Sequence, residues 1–238
     1  MRVSRLSMGL VALALSACNR EQPTEPATTV SATAAAVPTT AVAGPEVRVL
    51  AFGDSLFAGY GLASLEQSYP AQLEAALRQD GRNVRIINAG VSGDTTAAGR
   101  QRLAFTLDSQ PQKPDVVLLE LGGNDLLRGL PPEQTRANLD AMLSELGKRG
   151  ITVALMGLQA PPNAGAQFQN AFDAIYPDLA KKHSATLVPF VTREVFANPK
   201  LIQADHVHPT AEGVAALVDA TGDAVAGALP DPVQAAGG

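Results

Sequence analysis

Ser55, Asp205 and His208 are the residues of this 238-residue chain whose types and order could form a nucleophilic relay. A serine hydroxyl is a poor nucleophile until a base takes its proton. Imidazole accepts and returns a proton near neutral pH, and an acid three residues before it can fix its tautomer and stabilise the imidazolium. Serine, then acid, then histidine is one of the chain orders in which such a triad occurs. The chemistry would be acyl transfer. It also needs donors where an oxyanion forms. The N–H groups of Ser55 and Gly93 and the side-chain amide of Asn124 are the candidates, and a glycine at 93 brings backbone close to a substrate with no Cβ in the way.

Each residue also has a plainer use. Asp54-Ser55 after a glycine is a common helix N-cap, and glycine and asparagine both suit turns. Asp205, His206 and His208 could instead hold a metal. Ser92, in Gly90-Val91-Ser92-Gly93, lacks the last glycine of a Gly-x-Ser-x-Gly elbow and is set aside as nucleophile. His206 reads as a loop residue without chemical work, and His183 as a surface residue near a helix C-terminus.

The elements that must position these groups alternate along the chain. Strands are expected at Val47–Phe52, Asn83–Asn88, Asp115–Leu121, Ile151–Gly157 and Ala185–Phe190. Helices are expected at Tyr69–Gln79, Ala97–Leu107, Glu133–Lys148, Ala166–His183 and Thr210–Ala228. Alternating βαβ units imply a parallel sheet with helices on both faces, although periodicity does not give the strand order. Gly53-Asp54-Ser55, Gly90-Val91-Ser92-Gly93-Asp94 and Gly122-Gly123-Asn124-Asp125 all follow strands. The carboxyl ends of parallel strands share one edge of the sheet, so the three loops can converge on one crevice.

Gly-Asp-Ser-Leu at Ser55, Gly93, Gly-Gly-Asn-Asp at Asn124, and Asp-x-x-His-Pro at Asp205/His208 together resemble the four ordered blocks of the SGNH hydrolase superfamily, also called GDSL esterases. Val91-Ser92-Gly93-Asp94-Thr95-Thr96 and Ala174-Ile175-Tyr176-Pro177-Asp178-Leu179-Ala180 look like its arylesterase and acyl-CoA thioesterase I/lysophospholipase L1 group. The resemblance implies an α/β fold: a three-layer α/β/α sandwich with a flavodoxin-like, mostly parallel five-stranded sheet. It implies hydrolysis of carboxylic esters and thioesters at Ser55, no metal or other cofactor, and a shallow acyl site. One departure is Leu126, where that group is expected to carry a smaller residue; the stretch 126–132 could border the acyl channel and alter chain-length preference. Alternatives are a carbohydrate O-deacetylase on the same site, or a lipoprotein that binds an acyl ligand or glycan without turnover.

The ends of the chain read differently. Arg2, Arg5 and an apolar run from Leu6 to Leu15 have the form of a secretory signal peptide over residues 1–17, too short to span a bilayer. Leu15-Ser16-Ala17-Cys18 resembles the lipobox of bacterial lipoproteins, with lipidation expected at Cys18, the single cysteine. An exported, membrane-anchored protein facing the periplasm or cell exterior is the expectation. Residues 18–45, rich in Ala, Thr and Pro, read as a flexible tether, 46–230 as the hydrolase domain, and 231–238 as a disordered tail. A net charge of −5 with no basic run argues against nucleic acid as a partner. Small acyl substrates and a monomer are expected.

Overall fold

The computed structural model describes residues 42–192 and 196–230. The signal peptide, Cys18, the tether up to residue 41 and the tail 231–238 lie outside the described residues.

Five strands form one sheet: β1 (Val47–Phe52), β2 (Val84–Asn88), β3 (Val116–Leu119), β4 (Thr152–Leu158) and β5 (Thr186–Val191). All neighbours are parallel, in the order β2-β1-β3-β4-β5. β3 is buried along its whole length, which explains its unbroken apolar sequence. Edge strand β5 carries the exposed Pro189, tolerated there because an edge leaves one side of the ladder unpaired.

Side chains alternate between the two faces of the sheet. Val47, Val49 and Ala51 of β1 pack with α2 (Tyr69–Gln79) and the closing helix, α8 (Ala211–Ala228). Leu50 and Phe52 enter the opposite core, built by α3 (Thr96–Asp108), α5 (Pro132–Lys148) and α7 (Ile175–His183). The result is the three-layer α/β/α sandwich. Among the described residues no helix is long and apolar enough to cross a membrane.

The helices differ from the sequence reading in three places. The single helix expected over 166–183 is two, α6 (Ala166–Asp173) and α7, broken at Ala174. Pro177 is the cause: in one continuous helix it would have no N–H for the Asp173 carbonyl, whereas in the first turn of α7 none is needed. Two short helices, α1 (Ser55–Ala58) and α4 (Gly123–Leu127), stand where only loops were expected. Both follow strands of the central pair, and each carries a candidate site residue in its first two positions.

Candidate active site

In a sheet of this order the direction of winding reverses between β1 and β3, and the crevice outside their carboxyl ends is where open α/β sheets bind ligands. Ser55 follows β1 and Asn124 follows β3. Asp54 caps α1 through its carboxylate, whose Oδ1 accepts the Leu56 N–H at 3.1 Å. Capping and nucleophile positions are therefore not alternatives: the cap holds the serine at the first helical residue.

His208 reaches Ser55 from the other end of the domain. Its Nε2 lies 2.9 Å from Ser55 Oγ and its Nδ1 lies 2.6 Å from Asp205 Oδ2. Asp205 Oδ1 accepts the N–H groups of Val207 at 2.9 Å and His208 at 3.0 Å. Led by that His208 backbone bond, these contacts hold the Asp205 carboxyl down at about 2. The segment is shaped by a bridge between Ile202 and Pro209, by the Gln203 N–H on the His208 carbonyl at 2.7 Å, and by a positive φ of 61° at His206. Tyr60, half-exposed, packs against the imidazole at a tilt of 37° with ring centroids 4.5 Å apart.

Both His208 nitrogens are thus engaged. Among the described residues no three His, Cys, Asp or Glu side chains are grouped to hold a metal ion.

Gly93 lies at the tip of the loop after β2 with φ +86°, a conformation that costs glycine nothing. Its N–H has no acceptor among the described residues, and no hydrogen bond joins it to the triad. Its carbonyl accepts from Arg128 Nη2 at 2.9 Å, which ties this loop to the end of α4. Asp125 adds a second tie: Oδ2 accepts the Thr96 N–H at 2.8 Å, and Oδ1 accepts the hydroxyls of Thr96 at 2.5 Å and Thr135 at 3.1 Å. Arg102 joins the loops after β1 and β2, donating to the Gly53 carbonyl at 2.9 Å and to Asp94 at 2.5 Å while lying 3.8 Å over the Phe52 ring.

Ser55 and Asn124 line one cavity of about 400 Å³, whose walls are mostly apolar: Leu126, Leu127, Leu158 and Phe196 among them. His206, in a loop as expected, also lines it. His183 stands in the last turn of α7, near the helix C-terminus as expected, and its Nε2 meets Asp140 Oδ1 at 2.5 Å. Tyr176, from the same helix, donates to the Leu121 carbonyl at 3.0 Å and braces the loop that carries Asn124.

The family model described as "GDSL-like Lipase/Acylhydrolase family" matches residues 51–216, from β1 into α8. The chain belongs to the GDSL-like lipase/acylhydrolase family. Relatives of this GDSL hydrolase include an arylesterase of Vibrio mimicus, 41% identical over 165 residues, 69% of this chain and 81% of that protein. Thioesterase 1/protease 1/lysophospholipase L1 of Escherichia coli strain K12 is 37% identical over 171 residues, 72% and 79% of the two chains. Among solved structures, AlinE4, described as an SGNH-hydrolase family esterase, is 62% identical with a TM-score of 0.66, covering 79% of this chain and all of its own.

One buried pair of the GDSL hydrolase escaped the sequence reading. Glu120, fully buried just past β3, accepts the Asp54 N–H through Oε2 at 3.1 Å. Burial pushes both carboxyls up, Glu120 well above the usual range, with the Asp54 charge reinforcing it. A lone acid in an apolar run was the only signal, and nothing local named its partner.

Proposed function

We propose that this chain hydrolyses carboxylic esters and thioesters through an acyl-enzyme on Ser55. The observation that carries the reading is the run of contacts from Asp205 through His208 to Ser55, 2.6 Å and 2.9 Å, at the mouth of an apolar cavity. In the first half-reaction His208 Nε2 takes the hydroxyl proton as Ser55 Oγ bonds to the acyl carbon. The carbonyl oxygen becomes an oxyanion facing the N–H groups of Ser55 and Gly93 and the Asn124 amide. Collapse expels the alcohol or thiol, which leaves with the proton from His208. Water then repeats the sequence, releasing the carboxylic acid and restoring Ser55. Asp205 keeps the imidazole oriented and offsets its charge in both halves.

The names of the relatives, arylesterase and thioesterase/lysophospholipase, support oxygen and sulfur leaving groups alike. The apolar lining suits an acyl chain; it offers few partners for sugar hydroxyls, so the O-deacetylase alternative is not carried forward. The relay is complete within one chain, so the proposed reaction needs no residue from a second copy. Leu15-Ser16-Ala17-Cys18, after its apolar run, supports acylation of Cys18 and anchorage facing the periplasm or cell exterior.

A fluorophosphonate probe tests the nucleophile, and a panel of aryl esters, acyl-CoAs and lysophospholipids tests the substrate class. Stoichiometric labelling at Ser55 with turnover of both ester and thioester is expected; turnover without labelling would sink the acyl-enzyme. Radiolabelled palmitate should enter the wild type and not Cys18→Ser. Absence of label in the wild type would reduce Cys18 to part of an ordinary signal peptide.

A further inference from the structure

Asn124 has two amide hydrogens and so can serve two acceptors. Its Nδ2 donates to Asp54 Oδ2 at 3.0 Å, which leaves the other N–H available on the cavity side. The Asp54 carboxylate therefore decides which way the amide faces: a flipped amide would set its carbonyl oxygen against an anion. Asp54 is in turn over-determined. Oδ1 accepts the Leu56 N–H, and the Asp54 backbone N–H is held by Glu120 Oε2. Two buried acids this close do not both ionise, and burial together with the Asp54 charge pushes the Glu120 carboxyl up. Asp54 accepts from two N–H donors and keeps the charge; Glu120 keeps the proton. Gly53 fits the same arrangement, since a Cβ there would stand 2.7 Å from Glu120 Oε2.

We infer that Glu120 is a positioning residue: from inside the core it holds Asp54, and Asp54 aims one N–H of Asn124 at the oxyanion. This rests on the reading of Asn124 as an oxyanion donor and adds the buried acid that keeps the donor in place. Nothing in the reaction touches Glu120 itself.

The test is a cycle of variants assayed on one aryl ester, with kcat, KM and melting temperature measured on each preparation. Glu120→Leu removes the acceptor for the Asp54 N–H at similar volume and should lower kcat by about 10- to 100-fold with KM little changed, as sub-ångström misplacement of a catalytic group does. Glu120→Gln retains an acceptor for the Asp54 N–H and should recover most of that loss. Glu120→Leu combined with Asn124→Ala should be no slower than Asn124→Ala alone, because both disable one device. Multiplying effects in the double variant, or a Glu120→Gln defect equal to that of Glu120→Leu, would overturn the inference. Should Glu120→Leu fail to fold, Glu120→Asp withdraws the acid by one methylene; native kcat in that variant would overturn it equally. Asn124→Ala alone reports on the underlying reading: native kcat there removes Asn124 from the oxyanion, whereas a crippled Asn124→Ala with independent Glu120 effects fails only the role given to Glu120.

Discussion

Asp205 grips His208 at two points, Oδ2 on the ring Nδ1 at 2.6 Å and Oδ1 on the backbone N–H at 3.0 Å. One carboxylate thus fixes both the tautomer of the ring and the turn that carries it. Asp205→Asn keeps the shape and removes the charge, so ester hydrolysis should fall by about 10²–10⁴-fold in kcat. Its effect on stability has a defined sign. The Asp205 carboxyl ionises at about 2 when folded against 3.8 ordinarily, so its contribution is complete above pH 3.8 and is lost as pH falls through 2. The melting-temperature gap between wild type and Asp205→Asn should hold at pH 5 and close toward pH 2. A gap that does not change with pH would contradict the assignment.

Ser55→Ala should fold as the wild type does and lose hydrolysis by several orders of magnitude, of the order of 10³-fold or more. Ser92, exposed in the loop after β2, has no contact with His208 among those the structure shows, and Ser92→Ala should keep most activity. Equal losses in the two variants would mean that the nucleophile has been misassigned.

Glu120 supplies a second pH dependence, of opposite sign. A buried carboxyl held well above 4.5 keeps its proton when folded and loses it when unfolded, so rising pH above 4.5 erodes stability. Glu120→Gln has no such proton. Its melting temperature relative to wild type should therefore climb between pH 5 and 8, and a flat difference would mean that Glu120 is ionised in the fold.

The meeting of Ser55, Asp205 and His208 was legible because residue type and chain order suit a relay, and the loops were legible because Gly53, Gly90 and Gly122-Gly123 punctuate apolar runs. The central strands followed from continuous apolar stretches such as Val116–Leu119. What was not legible is what distance in sequence hides. Glu120 is buried by its fit to Asp54, 66 residues away, and Tyr60 reaches His208 from a loop with no periodicity of its own. The split of 166–183 was signalled by Pro177, but the apolar face runs through Phe172, Ile175, Tyr176 and Leu179 and masks the break.

Gly90 links the loop after β2 to the Ser55 segment by sterics alone. A Cβ there would stand 2.4 Å from Ala58 N, 2.8 Å from Asp54 O and 2.9 Å from the Phe57 carbonyl carbon, all backbone of the segment bearing Ser55. Gly90→Ala should lower the melting temperature by roughly 2–12 °C, from an overpacking cost of about 1–3 kcal/mol. It should lower kcat as well, because the shifted backbone carries the serine. Gly147→Ala is the control: in α5 a Cβ meets nothing within 4 Å, so a slight gain in stability and unchanged turnover are expected. Native kcat in Gly90→Ala would show that α1 is not held by this contact.

Leu126 is the departure from the resembled pattern that lines the apolar cavity. It lies on α4, two residues after Asn124, packs partly against the core and lines the apolar cavity with Leu158. Its side chain takes up space that the end of an acyl chain could occupy. Leu126→Ala should therefore change selectivity more than overall rate, raising kcat/KM for octanoyl over butyryl esters by at least about tenfold, since a single methylene in such a pocket is worth about 10- to 200-fold. Phe105, exposed on α3, offers a comparison of similar apolar loss, and Phe105→Ala should leave the octanoyl-to-butyryl ratio unchanged. The ratio is the decisive quantity, because a general packing defect scales every substrate together. A uniform fall in kcat/KM across the acyl series would assign Leu126 to the support of α4, and the determinant of chain length would then be sought at Leu158 or Phe196 on the other walls.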